Sequence, residues 1–220
     1  MLPWQDIHTV LLDMDGTLLD LHFDDHFFRI VVPQSYATAN ELTFEQAEKI
    51  VFDAYRAVEG TLAWYDVDYW SRTLKLDIPL LKKQVAHLIQ VRPQVMPFLK
   101  ALHKSGRALY LVTNAHGKSL SLKLEKTPIG AWFNDLITSH DMGCPKEDPK
   151  FWSLLQKRLE YDPDHTLLVE DSEKILAVAS EYGPAHLLHI AKPSSQREPQ
   201  FSQHFPSVLD FSALPSPDLS

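Results

Sequence analysis

The stretch His8-Thr9-Val10-Leu11-Leu12-Asp13-Met14-Asp15-Gly16-Thr17-Leu18 constrains this chain more than any other. Val10, Leu11 and Leu12 form a short apolar run, the pattern of a parallel strand covered on both faces. The apolar character stops at Asp13. In an extended chain residues i and i+2 point the same way, so Asp13 and Asp15 are expected to project to one side of the strand end. Gly16 permits a tight turn just beyond them. Two carboxylates held together repel unless a cation or a proton relieves them, and that points to a metal site. Asp-Gly alone is an ordinary turn dipeptide. An apolar strand before it and Thr17-Leu18 after it lift this one above that reading.

A chain of 220 residues can be one domain, or one core with a modest insertion. Its formal charge of −8 argues against a nucleic-acid polymer or a membrane surface as partner, because either needs a basic face. A small phosphorylated molecule remains compatible, since a metal and one or two lysines make a local positive site. Cys144 is the single cysteine, so no internal disulfide is expected and a reducing compartment fits. It reads as a small packed residue. No signal-peptide pattern and no apolar run of membrane-spanning length is visible, so a cytoplasmic protein is expected. The Pro- and Ser-containing stretch 206–220 reads as a loosely packed tail.

Along the chain, Leu19 to Pro33 mixes acids and histidines with Phe23, Phe27 and Phe28. Its spacing matches no zinc pattern and reads as a polar connection with aromatic anchors. Thr43-Phe44-Glu45-Gln46 is a capping box, followed by Ala47, Ile50, Val51, Ala54 and Val58 at helical spacing up to Gly60. A second helical segment spans 61–74, and a third runs from Asp77 through Leu80, Leu81, Val85 and Leu88. Residues 20–92 therefore carry helices and no convincing strand. From Gln94 onward helices alternate with strands at 108–112, 136–138, 166–169 and 185–190. Ser119 to Thr127 fits both periods; the alternation favours a helix there. Asp148-Pro149 starts another helix with an N-cap and a first-turn proline. The expected fold class is α/β, a Rossmann-like parallel sheet with helices on both faces, plus an inserted all-helical cap.

Ligands of such sheets bind outside the carboxyl ends of the strands. The polar residues fall there: Asp13 and Asp15, then Thr113 and Asn114, then Glu170 and Asp171, with Lys146 in the loop after the third core strand. Each alone has an ordinary explanation as turn, solvated lysine or helix-start acid. Their joint order does not.

Asp13-Met14-Asp15-Gly16-Thr17-Leu18, Thr113-Asn114, Lys146 and Glu170-Asp171 resemble, in order, the four motifs of the haloacid dehalogenase superfamily, most of whose members are phosphatases. The resemblance implies a core of residues 1–19 and 93–220 with a helical cap, 20–92, inserted after the first strand. It implies Asp13 as nucleophile, forming an aspartyl-phosphate, and Asp15 as general acid and then base. It implies Mg²⁺ held by Asp13, by Asp15 through its backbone carbonyl, and by Asp171, with Glu170 secondary. Thr113, Asn114 and Lys146 would hold the phosphate. Asp15 favours phosphoryl transfer, since the dehalogenase members lack that second aspartate. Lid and loop sequences such as Leu62-Ala63-Trp64-Tyr65, Thr113-Asn114-Ala115-His116 and Pro145-Lys146-Glu147-Asp148 are similar to the purine 5′-nucleotidases of the superfamily that hydrolyse GMP and IMP. The substrate this implies is a purine nucleoside 5′-monophosphate; the lid aromatics Trp64, Tyr65, Tyr69 and Trp70 read first as lid core at helical spacing, and alternatively as a surface on which the base stacks. A sugar-phosphate phosphatase or phosphomutase on the same scaffold is the alternative, and a non-catalytic binding protein the third reading.

Overall fold

The computed structural model describes residues 2–214. Six parallel strands form one sheet: β1 (Thr9–Leu12), β2 (Ala108–Thr113), β3 (Asp135–Thr138), β4 (Thr166–Glu170), β5 (His186–Ile190) and β6 (Ser207–Val208). Their spatial order is β3-β2-β1-β4-β5-β6. Strand β1 is central and entirely buried, in register with β2 through Leu12 and Leu111 and with β4 through Leu12 and Val169. The expected Rossmann-like arrangement is present.

Helices come in two groups. Between β1 and β2 run α1 (His22–His26), α2 (Val32–Asn40), α3 (Phe44–Val58), α4 (Leu62–Tyr65), α5 (Val67–Leu74), α6 (Ile78–Gln84) and then α7 (Val95–Lys104). Later come α8 (Gly117–Lys126), α9 (Ser139–Met142), α10 (Pro149–Leu159) and α11 (Glu173–Tyr182). Alternation along β1 sends its side chains to opposite faces. Val10 and Leu12 pack with Phe98 and Leu102 of α7 and Leu120 of α8. Leu11 packs with Phe151 and Trp152 of α10 and Leu176 of α11. Helices α3, α5 and α6 bury Val51, Tyr55, Trp70 and Ile78 in a separate apolar cluster of their own. The two chain crossings between this group and the sheet run side by side: Asp20 N–H donates to Gln90 C=O at 2.9 Å, and Arg92 N–H to Leu18 C=O at 3.0 Å.

Several local expectations change. From His22 onward the segment 19–33 is helical: the Asp20 carboxylate accepts the His22 N–H, and α1 continues through a π-helical turn, Phe27–Val31, into α2. Phe23 and Phe27, four apart, are fully buried on its inner face, so the interleaved acids and histidines hid an ordinary helical repeat. The π turn lies just before Pro33, which lacks the N–H and clashes with a tight preceding turn. The segment 61–74 is two helices, broken where Asp66 caps α5. Ile50 and Leu80, counted on apolar faces, are exposed, because Tyr55 and Ile78 take the buried places. The tail is not loose as far as Leu214: β6 pairs with β5, and buried Phe211 packs on Phe98 at 4.7 Å between ring centroids. Residues 215–220 of that stretch lie outside the described residues.

Candidate active site at the carboxyl edge of the sheet

Each element delivers its polar residue where its apolar run ends. Strand β1 ends just before Asp13, whose N–H still donates to Val169 C=O at 3.0 Å, so its backbone is fixed to the neighbouring strand. The turn behind it uses Gly16 at φ +92°, where a side chain is strained. A Cβ there would lie 2.3 Å from Asp171 Oδ2, so only glycine lets that carboxylate come so close.

Lys146 lies at the centre. It is 1% exposed, and its ammonium donates to Asp13 Oδ1 at 2.6 Å, to Glu170 Oε2 at 2.6 Å and to Val112 C=O at 3.0 Å. Its backbone N–H donates to Asn114 Oδ1 at 2.9 Å. The Asn114 carboxamide is thereby spent on the lysine loop, with its Nδ2 donating to Glu147 Oε2 at 2.9 Å. The Thr113 hydroxyl, buried, accepts the Ala115 N–H. Glu170 holds Lys146 with one oxygen and accepts the Asp171 and Ser172 N–H groups with the other. Trp152 of α10 donates its Nε1 hydrogen to Lys146 C=O and clamps the loop from below.

Burial and the neighbouring Glu170 push the Asp13 carboxyl up to about 7, against the pull of Lys146. Burial, with Asp24 and Asp13 nearby, pushes Asp15 up to about 6 despite Lys123. Asp171 is raised well above the carboxylate range by burial, then Glu170, then Asp13. Lys146 stays charged although burial opposes it, because Asp13 and Glu170 outweigh that cost. Asp13 Oδ2 is buried with no hydrogen-bond partner among the described residues.

The donor set fits a divalent, hard cation. Asp13, Glu170 and Asp171 each bring a carboxylate oxygen within 4.8 Å of the others. Lys146 pairs with two of these three carboxylates, Asp13 and Glu170, so the cluster has more acidic groups than the ammonium balances. Oxygen donors of this kind suit Mg²⁺. Asp66, His116 and His140 also converge. There, however, Asp66 Oδ1 accepts the Asp68 and Tyr69 N–H groups and His116 Nδ1 accepts the Lys118 N–H, so two of the three act as helix caps.

A cavity of about 530 Å³ opens over these groups. Its floor includes Asp13, Asp15, Thr113, Asn114, Lys146 and Asp171, so the residues expected at the strand ends are brought to one place. Its other wall comes from the helical group and is aromatic: Phe28, Phe52, Tyr55, Trp64, Tyr65 and Trp70. Tyr69 instead packs edge-on against Trp70 at 5.0 Å. The Tyr65 hydroxyl donates to Glu147 Oε1 at 2.6 Å, tying the helical wall to the lysine loop.

Residues 7–183 match the haloacid dehalogenase-like hydrolases. The chain belongs to that family. This haloacid dehalogenase-like hydrolase is 39% identical to the GMP/IMP nucleotidase YrfG of Escherichia coli (strain K12), over 97% of this chain and 96% of that one. It is 27% identical to the phosphoglycolate phosphatase of Pseudomonas fluorescens (strain Pf0-1), over 83% of this chain and 69% of that one. In fold it resembles a HAD phosphatase from Thermococcus onnurineus, with TM-score 0.78, 22% identity and coverage of 93% and 94%. It also resembles the HAD-hydrolase YfnB of Bacillus subtilis bound to magnesium, with TM-score 0.64, 19% identity and coverage of 94% and 96%.

Two buried lysines were not expected from the sequence. Lys123 of α8 is 2% exposed, and its ammonium meets Asp15 Oδ1 and Asp24 Oδ2, each at 2.6 Å. Lys82 of α6, also buried, donates to Asp24 Oδ1 at 2.9 Å and lies over the rings of Phe23, Phe27 and Phe28. The one signal was position: Lys123 shares the inner stripe of α8 with Leu120 and Thr127, where a lysine is costly unless paired.

Proposed function

We propose that this hydrolase is a Mg²⁺-dependent purine 5′-nucleotidase of the cytoplasm that cleaves GMP and IMP to nucleoside and phosphate. The observation that carries the chemistry is the state of Asp13. One carboxylate oxygen is fixed by Lys146, and the other is buried at the cavity floor with no hydrogen-bond partner among the described residues. The free oxygen attacks phosphorus while the P–O bond to the ribose 5′-oxygen breaks and its electron pair goes to that oxygen. Asp15 supplies the proton that makes the leaving group an alcohol; its raised pKa of about 6 suits a carboxyl that both gives and takes a proton. Asp15 then takes a proton from the water that cleaves the aspartyl-phosphate and frees Asp13.

Lys146 neutralises the phosphate and holds Asp13, while the Thr113 hydroxyl and the Asn114 backbone N–H bind phosphate oxygens. Asp13, Asp171 and the Asp15 backbone carbonyl would hold Mg²⁺, with Glu170 behind them. When bound, the cation lowers repulsion between the carboxylates and the anionic phosphate. Residues 20–92 act as a cap whose aromatic wall takes the base. Aromatic faces suit a purine, and the cavity is of ligand size. The choice of GMP and IMP is supported by the 39% identity to the E. coli nucleotidase.

A phosphate-release screen over GMP, IMP, AMP, sugar phosphates and phosphoglycolate tests the substrate. GMP and IMP are expected to lead; a sugar phosphate leading would transfer the enzyme to the alternative class. Asp13→Asn is expected to lose turnover on every substrate, and retained turnover would remove Asp13 as nucleophile.

A further inference from the structure

The proposed reaction leaves unused the most heavily buried charges outside the cation cluster. Lys123 bridges two carboxylates at 2.6 Å, one on the turn after β1 and one on α1. Lys82 closes the chain from α6 on the far oxygen of Asp24 at 2.9 Å. The two ammoniums match the two acids when both are ionised and outnumber the carboxylates when Asp15 holds a proton, so this side calls for no cation of its own. Buried ion pairs of this kind add little stability compared with apolar packing, yet breaking one is costly. Such a network is therefore better explained by what it positions.

We propose that Lys123 is a positioning residue for Asp15, and that its bond to Asp24 makes that positioning depend on the seating of α1 against the sheet. The proposal rests on Asp15 being the proton donor. An ammonium cannot accept a hydrogen bond, so with Lys123 on Oδ1 the carboxyl proton resides on Oδ2. Donation then moves that proton from Oδ2 to the leaving oxygen as the P–O bond breaks, and Asp15 becomes a carboxylate facing Lys123. The new negative charge forms beside a fixed ammonium, which is worth most where water is excluded. Asp24 fixes the ammonium in turn. If α1 shifts, Asp24 takes Lys123 with it, and Oδ1 loses its partner.

The test is the rate of leaving-group release in the first turnover, by rapid quench, for two esters. A nucleoside alkoxide needs its proton; p-nitrophenolate leaves without one. In Lys123→Met, nucleoside release from GMP is expected to fall about 100-fold while nitrophenolate release falls less than about fivefold. Lys123→Arg should recover most of the loss. Equal falls on both esters, or no fall on either, would overturn the proposal. Asp15→Asn provides the reference: if it shows no split, the donor assignment fails; if it splits and Lys123→Met does not, the Lys123 role alone fails. If wild type ignores GMP, the substrate reading fails and the same comparison runs on whichever alkyl phosphate it accepts. If Lys123→Met does not fold, Asp24→Asn decides. A fall of about tenfold in nucleoside release alone supports the dependence on α1, and an unchanged rate refutes it.

Discussion

At the scale of single residues, the site works by close approach. Gly16 has φ +92°, and the space its Cβ would fill holds the Asp171 carboxylate. Gly16→Ala is therefore expected to displace Asp171 and lower turnover by at least about 100-fold, because displacements near 1 Å cost that much in a preorganised site. Phosphate release measures it; wild-type turnover would mean that Asp171 has no fixed place. Asp13, Asp15, Lys146 and Asp171 were legible in the sequence because each sits where an apolar strand stops or in a short motif loop. Lys123 and Asp24 were not. Their partners lie 108 and 99 residues away along the chain, and nothing local distinguishes a paired buried lysine from a solvated one.

At the scale of elements, aromatic residues of the helical group that border the same cavity differ in how deeply they are buried. Trp70 is 1% exposed, donates to Trp64 C=O at 2.9 Å and meets the Tyr55 ring edge-on. Trp64 is only partly buried and borders the cavity. Trp70→Leu is expected to cost about 2–4 kcal/mol in urea denaturation, as large-to-small core changes do. Trp64→Leu should instead raise KM for GMP several-fold, and Tyr69→Leu should leave KM unchanged. The same KM for Trp64→Leu and wild type would remove Trp64 from base binding. Both tryptophans read alike in the sequence, since helical spacing alone leaves open which face meets a ligand and which a core.

At the scale of the molecule, the Asp24 network joins the helical group to the sheet and should set the acid limit of stability. Burial alone would raise the Asp24 pKa; Lys123 and then Lys82 outweigh it and hold the carboxyl at about 2. A pKa lowered on folding stabilises fully above the unfolded value of 3.8 and is lost as pH falls through about 2. Wild type is expected to exceed Asp24→Asn by roughly 2 kcal/mol or more near pH 6, with the gap closing below about pH 4. Urea denaturation at several pH values checks this. A gap independent of pH would show that Asp24 contributes by packing and not by charge.

The sequence by itself determined five of the six strands of the sheet, the alternation of its helices and the order in which polar residues arrive at its edge. Those features follow from runs and periods of a few residues, which local sterics and burial enforce wherever the chain goes. Only the tertiary structure decided which carboxylate each lysine meets, how deeply each aromatic is buried, and that 22–33 is helix and Phe211 core. Those outcomes depend on groups far apart in sequence being brought within a few ångströms, where charge pairing and packing outweigh local preference.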